Sequence, residues 1–124
     1  MTLFLASQSP RRKELLATLG VPFTVLPPAL GVDMEALEAR RGQEAPLAYV
    51  KRVTLAKLQQ ARSQIGATDA VLCADTTVAM GQDILHKPLD ATSNAALLNK
   101  LQGRSHRVMT AVALWQAGIV HQAV

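Results

Sequence analysis

The sequence predicts an α/β domain on three observations. Short apolar, β-branched runs alternate with stretches of helical periodicity along the chain. The helical stretches start and stop at residues suited to capping, such as Ser9-Pro10 and Gly20. The longest strand-like run, Val71–Met80, is largely apolar on both faces, as a strand is when helices cover its sheet. With 124 residues, 49% of them apolar and 18% charged, the chain has the size of one globular domain around one core.

Leu3–Ala6 is a short buried strand that runs into the polar loop Ser7-Gln8-Ser9. A helix follows, with Ser9 as N-cap and Pro10 in its first turn. Leu15, Leu16 and Leu19 give it an apolar side, and Gly20 ends it. Arg11, Arg12 and Lys13 crowd the positive end of that helix dipole, where each cation is unfavourable by roughly 0.3–1 kcal/mol. Two readings stand for them. One is a solvated basic face; the other is a cradle in which backbone N–H groups, loop hydroxyls and the arginines hold an anion. The strand–loop–helix context favours the cradle.

Phe23–Leu26 is a second strand, stopped by Pro27-Pro28. Residues 29–44 are irregular with room for one short helix, acidic first (Asp33, Glu35, Glu38) and then basic (Arg40, Arg41). Asp33 and Glu35 either assist a metal or are simply solvated. Pro46 begins the longest helical pattern, running to about Ile65, with Leu47, Val50, Thr54, Leu58 and Ala61 on a core-facing stripe. Lys57 falls on or beside that stripe. It either snorkels past the core or reaches into a cleft toward an anion.

Gly66–Asp69 turns into the central strand, and Gly81-Gln82 reads as a hairpin turn that returns through Ile84-Leu85. His86-Lys87-Pro88 follows, with Lys87 extended before the proline and placed at a rim. Asp90–Leu101 is an amphipathic helix, capped by Asp90 or Thr92 and closed by Gly103. The polar loop Arg104–Arg107 leads to an apolar strand, Val108–Trp115, and Gln116-Ala117-Gly118 turns into a last strand, Ile119–Val124.

Asp75 interrupts the apolar run of the central strand. A carboxylate left unpaired in a dry core costs several kcal/mol. Asp75 therefore sits where the strand meets a cleft, beside a cation, a metal or water, or else against a neighbouring turn that satisfies it. The first placement makes it a functional acid.

Composition narrows the function. No apolar run reaches the roughly 18–20 residues of a membrane span, and the opening residues lack the basic start of a signal peptide. The single cysteine, Cys73, cannot form an internal disulfide, which points to a reducing cytoplasm. No cation adjoins it in sequence, so it reads as packing rather than as a nucleophile. A net charge of +4 points to an anionic partner. With only 3% aromatic residues there is no base-stacking platform, which argues against nucleic acid. His86, His106 and His121 have no metal-ligand spacing.

Five segments, taken in order, resemble the Maf family of nucleotide pyrophosphatases: Leu5–Leu16, Tyr49–Val53 with Lys57, Ala74-Asp75-Thr76, Ile84–Pro88 and Leu101–Thr110. The likeness covers essentially the whole chain. It implies an elongated mixed α/β sheet with flanking helices and a cleft between two lobes, in a single domain over residues 1–124 that is truncated at its C-terminus. It implies hydrolysis of a nucleoside triphosphate to the monophosphate and pyrophosphate, with a divalent metal, Mg²⁺ or Mn²⁺. Asp75 matches the family's catalytic acid, which takes a proton from water and, with Glu35 or Asp33, holds the metal. Arg11 and Thr76 match positions of nucleotide choice. Ser7, Arg12, Lys57 and Lys87 match the polar lining of the phosphate end.

The pairing of Arg11 with Thr76 resembles the branch acting on dTTP and UTP, modified forms included, rather than on methylated GTP. The acidic pair that the family carries after its second strand is broken here as Asp33-Met34-Glu35, which leaves either acid as the metal's assistant. The early stop keeps a second reading beside the enzyme, a catalytically silent module that binds nucleotide or a cell-division partner. The expected partners are a nucleoside triphosphate and a second copy of the chain covering an exposed sheet edge, with no nucleic acid and no membrane.

Overall fold

A computed structural model describes residues 2–7, 9–29, 31–85, 95, 99, 102–103 and 105–124, with Glu35 described by its backbone. In chain order these residues form β1 (Leu3–Leu5), α1 (Pro10–Thr18), β2 (Thr24–Val25), α2 (Met34–Glu38) and α3 (Pro46–Arg62), then β3 (Ala70–Met80), β4 (Asp83–Leu85), β5 (Arg107–Gln116) and β6 (Ile119–Ala123). The strands make one mixed sheet in the order β2-β1-β3-β5-β6, with β4 also on β3. β1 runs parallel to β2 and β3, whereas β4 and β5 run antiparallel to β3 and β6 antiparallel to β5.

The sheet is built around β3, an apolar strand of 11 residues. β5 ladders along it from Ala70↔Gln116 to Ala79↔Arg107. The opposite edge is shared. β1 follows it only to Leu5↔Leu72, where the Ala6 N–H donates to the Leu72 carbonyl at 3.0 Å. β4 joins from Val78↔Leu85 onward. Among the described residues no strand pairs with residues 73–77 on that edge, so the sheet is open beside Asp75.

α3 covers one face. Its buried stripe is Tyr49, Val50, Val53, Thr54, Leu58 and Ala61, at the i, i+3, i+4 spacing of a core-facing helix. The Thr54 hydroxyl donates to the Val50 carbonyl at 2.7 Å, so its burial leaves no unsatisfied donor. Strand residues alternate faces, and the odd-numbered ones of β3 and β5 meet this stripe. Leu58 and Ala61 pack with Val71, Cys73, Ala113 and Trp115. Leu58 is 1% exposed, so Leu58→Ala is expected to destabilise the domain by about 3 kcal/mol through lost burial and a residual cavity. Thermal unfolding checks this as a fall of roughly 12 °C in Tm; a drop of a degree or two would mean the site is not close-packed.

Several elements differ from the expectation. The Phe23–Leu26 strand narrows to Thr24–Val25, hemmed by Pro22 and Pro27, which carry no N–H for a ladder. α3 ends at Arg62 rather than near Ile65, because Gln64 and Ile65 donate three residues back, to Ala61 and Arg62, in a tightened last turn. α1 has the expected cap and first-turn proline but buries none of its residues. Leu15 is 58% and Leu19 73% exposed.

The short helix in residues 29–44 is α2, capped by the Asp33 carboxylate, which accepts from the Ala36 N–H at 3.1 Å. The two-residue turn between β3 and β4 has Gly81 at φ 61°, as a tight hairpin requires. The β5–β6 turn puts Ala117 at φ 53° and Gly118 at φ 76°. Of the helix expected over Asp90–Leu101 only Ala95 and Asn99 are described, both helical, and the rim lysine, Lys87, lies outside the described residues. No helix among the described residues is long and apolar enough to cross a membrane.

Candidate active site

The break in pairing along β3 decides what can gather there. Asp75 shares the face of Val71 and Cys73 and meets α3; Thr76 takes the other face and meets α1 and β5. Two polar networks result, one on each side of the same open edge.

On the α3 side, the Lys57 Nζ lies 2.8 Å from Glu38 Oε1 and 3.2 Å from Asp75 Oδ1. The Lys57 and Asp75 side chains are only 15% and 17% exposed, whereas Glu38 is half in solvent. Burial pushes the Lys57 ammonium toward losing its proton, but the hydrogen bond to Glu38 and the charges of Asp75 and Glu38 outweigh it. Its pKa is held above the ordinary lysine value. Lys57 thus reaches the cleft, and its partners there are the protein's own carboxylates.

On the other side, Arg12 donates to the Ser7 hydroxyl at 3.2 Å and to the Thr76 hydroxyl at 3.1 Å. Thr76 and Thr110 share a hydroxyl–hydroxyl bond of 3.0 Å. Ser7 also accepts from the Ser9 N–H at 3.2 Å, and the Ser9 hydroxyl caps the Arg12 N–H at 3.5 Å. Arg12 therefore ties the first turn of α1 to the sheet. Arg11 beside it is exposed.

Both networks open on one cavity of about 1100 Å³. Of the expected site residues, Ser7, Arg11, Arg12, Lys57, Asp75 and Thr76 line it, together with the apolar Leu15, Leu16 and Met34. Glu35's side chain and Lys87 fall outside the described residues. Asp33, the other acid expected to assist a metal, spends its carboxylate on the α2 cap. Cys73 is fully buried, and burial raises its thiol pKa to about 12, which removes it as a nucleophile at neutral pH.

Glu38, Tyr49 and Thr110 also line the cavity; the sequence placed Tyr49 and Thr110 in the segments of the resemblance but gave none of the three a role. Glu38 carried one signal there, its place in the acidic run. Its contact with Lys57 depends on how the segment between α2 and α3 is folded back. That segment is heavily tied. The Tyr49 hydroxyl donates to the Glu38 carbonyl. Arg52 donates to the Ala39 carbonyl at 2.7 Å and grips the Glu44 carboxylate at 2.7 and 3.0 Å. Arg40 donates to the carbonyls of Glu44, at 2.7 Å, and Gln82, at 2.8 Å. The hydrogen bond from Arg52 holds the Glu44 carboxyl below its usual range.

No group of three or more His, Cys, Asp or Glu side chains gathers among the described residues. The two carboxylates that converge on Lys57 are hard oxygen donors. Such a pair fits a divalent cation that completes its shell with phosphate oxygens, as Mg²⁺ does, better than an all-protein cage.

Residues 2–124 match the family model described as Maf-like protein. Among curated proteins the chain is similar to the dTTP/UTP pyrophosphatase of Polaromonas sp., 52% identical over 117 residues that cover 91% of this chain and 58% of that protein. It is also similar to the dTTP/UTP pyrophosphatase of Albidiferax ferrireducens, 52% identical over 119 residues, 93% of this chain and 60% of that protein. The chain thus spans less than two thirds of the length of these relatives. The crystal structure of a nucleoside-triphosphatase / dITP/XTP pyrophosphatase from Mycobacterium abscessus aligns with 99% of this chain and 70% of its own, at a TM-score of 0.47 and 15% identity.

Proposed function

Because the chain belongs to the Maf-like protein family, we propose that its cleft hydrolyses dTTP and UTP to the nucleoside monophosphate and pyrophosphate, the activity named for its relatives. The observation that carries this reading is the convergence of Asp75 and Glu38 on Lys57, beside Arg11 and Arg12, in a cavity of about 1100 Å³. Pockets of several hundred cubic ångströms suffice for ligands of this class.

A triphosphate brings several negative charges, so its binding calls for fixed cations. Arg11 and Arg12 at the start of α1, Lys57 from α3 and Lys87 supply them in this reading. Asp75 accepts the proton of the attacking water as its oxygen bonds to the α-phosphorus. The bond from that phosphorus to the bridging oxygen of the β-phosphate breaks, and pyrophosphate leaves with its charge neutralised by the same cations. Asp75 and Glu38 are the residues that would hold Mg²⁺ or Mn²⁺, which supplies further charge neutralisation at the phosphates. Glu38 joins Glu35 as a holder of the metal because, among the described carboxylates of that acidic run, its own lies beside Lys57. Arg11 and Thr76 set the choice of nucleotide.

The test is an assay of this chain with dTTP and UTP plus Mg²⁺ or Mn²⁺ that reads pyrophosphate and orthophosphate separately. Monophosphate and pyrophosphate in equal amounts are expected. Release of orthophosphate with the diphosphate would overturn the bond assignment. Binding of either nucleotide without any turnover would make this chain the silent module.

A further inference from the structure

We propose that Arg52 and Tyr49 are positioning residues, which pin the backbone at positions 38 and 39 and so hold the Glu38 carboxylate on Lys57. α2 is five residues long and ends at Glu38. A single turn of that length has no stability of its own. The Glu38 side chain is 48% exposed, yet its oxygen stands 2.8 Å from the Lys57 ammonium. A half-exposed carboxylate at the end of a marginal helix keeps one position only if its backbone is held from outside.

The holding groups come from α3. The Tyr49 hydroxyl takes the Glu38 carbonyl and the Arg52 guanidinium takes the next one, Ala39. These carbonyls stand at the C-terminal end of α2, where such groups lack intrahelical partners. Arg52 is itself held by both oxygens of Glu44, and its guanidinium lies 5.7 Å from the Tyr49 ring centre. Tyr49, Arg52 and Lys57 belong to one helix of 17 residues. The anchor and the cation therefore share a rigid frame, and the distance between Glu38 and Lys57 is set by helix geometry. Only a planar fork of donors serves the carbonyl and the carboxylate at once, so no other side chain replaces Arg52. The catalytic consequence rests on the function proposed above; the positional one does not.

The experiment is amine labelling of the chain with an acetylating reagent, read lysine by lysine by mass spectrometry, with exposed Lys51 on the same helix as reference. Parent, Arg52→Gln, Tyr49→Phe, Glu38→Gln and the double variant Arg52→Gln/Glu38→Gln are compared. In Arg52→Gln, Lys57 is expected to label roughly three- to tenfold faster, the scale of losing one ordinary hydrogen bond, since Glu38 is half in solvent. Glu38→Gln should show the same rise, and the double variant no more than Glu38→Gln alone. Turnover should then fall in kcat with KM kept, equally for Arg52→Gln and Glu38→Gln.

Labelling of Lys57 at the parent rate in both Arg52→Gln and Tyr49→Phe overturns the proposal, as does an additive rise in the double variant. Tyr49→Phe removes one hydroxyl and keeps the ring, so it carries the test if Arg52→Gln fails to fold. Labelling reads the contact whether or not the chain turns over a nucleotide. An inactive parent with the expected labelling therefore counts against the hydrolase, and an active parent with unchanged labelling counts against the positioning role.

Discussion

Asp75→Asn is expected to lower pyrophosphate release from dTTP and UTP by roughly 10²–10⁴-fold, the range a positioned base contributes, with the fold unchanged. The amide matches the carboxylate in shape, so the ladder with Ala111 and the packing of α3 on β3 stay as they are. What the amide lacks is a basic oxygen for the water's proton. Lys57 keeps its bond to Glu38, and the cations at α1 keep theirs, so nucleotide affinity should move far less than turnover. Circular dichroism, nucleotide titration and steady-state assay together separate these terms. Activity within threefold of the parent would transfer the base to another group, and Glu38 is the next carboxylate in reach.

Lys57→Met removes the ammonium on which two carboxylates converge. Breaking one side of a mostly buried pair leaves unpaired charge. With Glu38 half in water the loss is discounted to about 2 kcal/mol. Hydrolysis should fall at least about 10²-fold, since a cation at the phosphates is lost and the acids repel the substrate.

The pH dependence has a definite sign. Lys57 has a raised pKa in the folded protein, so its stabilisation is fully present below the unfolded value of 10.5 and is lost as pH rises through the higher folded one. The variant lacks that alkaline loss. Urea unfolding at about pH 8 and about pH 11 should therefore show the gap between variant and parent narrowing toward alkali. A gap that is constant with pH would mean the acids do not feel Lys57.

Parts of this site were legible because they are local. Ser9, Pro10 and the arginines announce a capped helix after a strand, and an acid in an apolar run announces a strand that meets a cleft. Spacing put Lys57 near the α3 stripe but left its partner open, because periodicity fixes which way a side chain leaves a helix and not what waits there. Glu38 was illegible for the same reason. Its contact runs between segments joined by an irregular loop, and that loop's course depends on Arg40, Tyr49 and Arg52, whose bonds are to backbone carbonyls that sequence does not display. The apolar side of α1 was legible, but what it faces was not: Leu15 and Leu16 border the cavity.

β3 keeps Asp75 on a girder. Its 11 residues span about 36 Å at the usual rise per residue, and β5 braces nearly all of that length. A hinge through the acid would have to break this bracing, so any swing of the molecule that shuts over a bound nucleotide pivots elsewhere. α1 is moored to the sheet through the Arg12 side chain, and the α2 segment to α3 through Arg52.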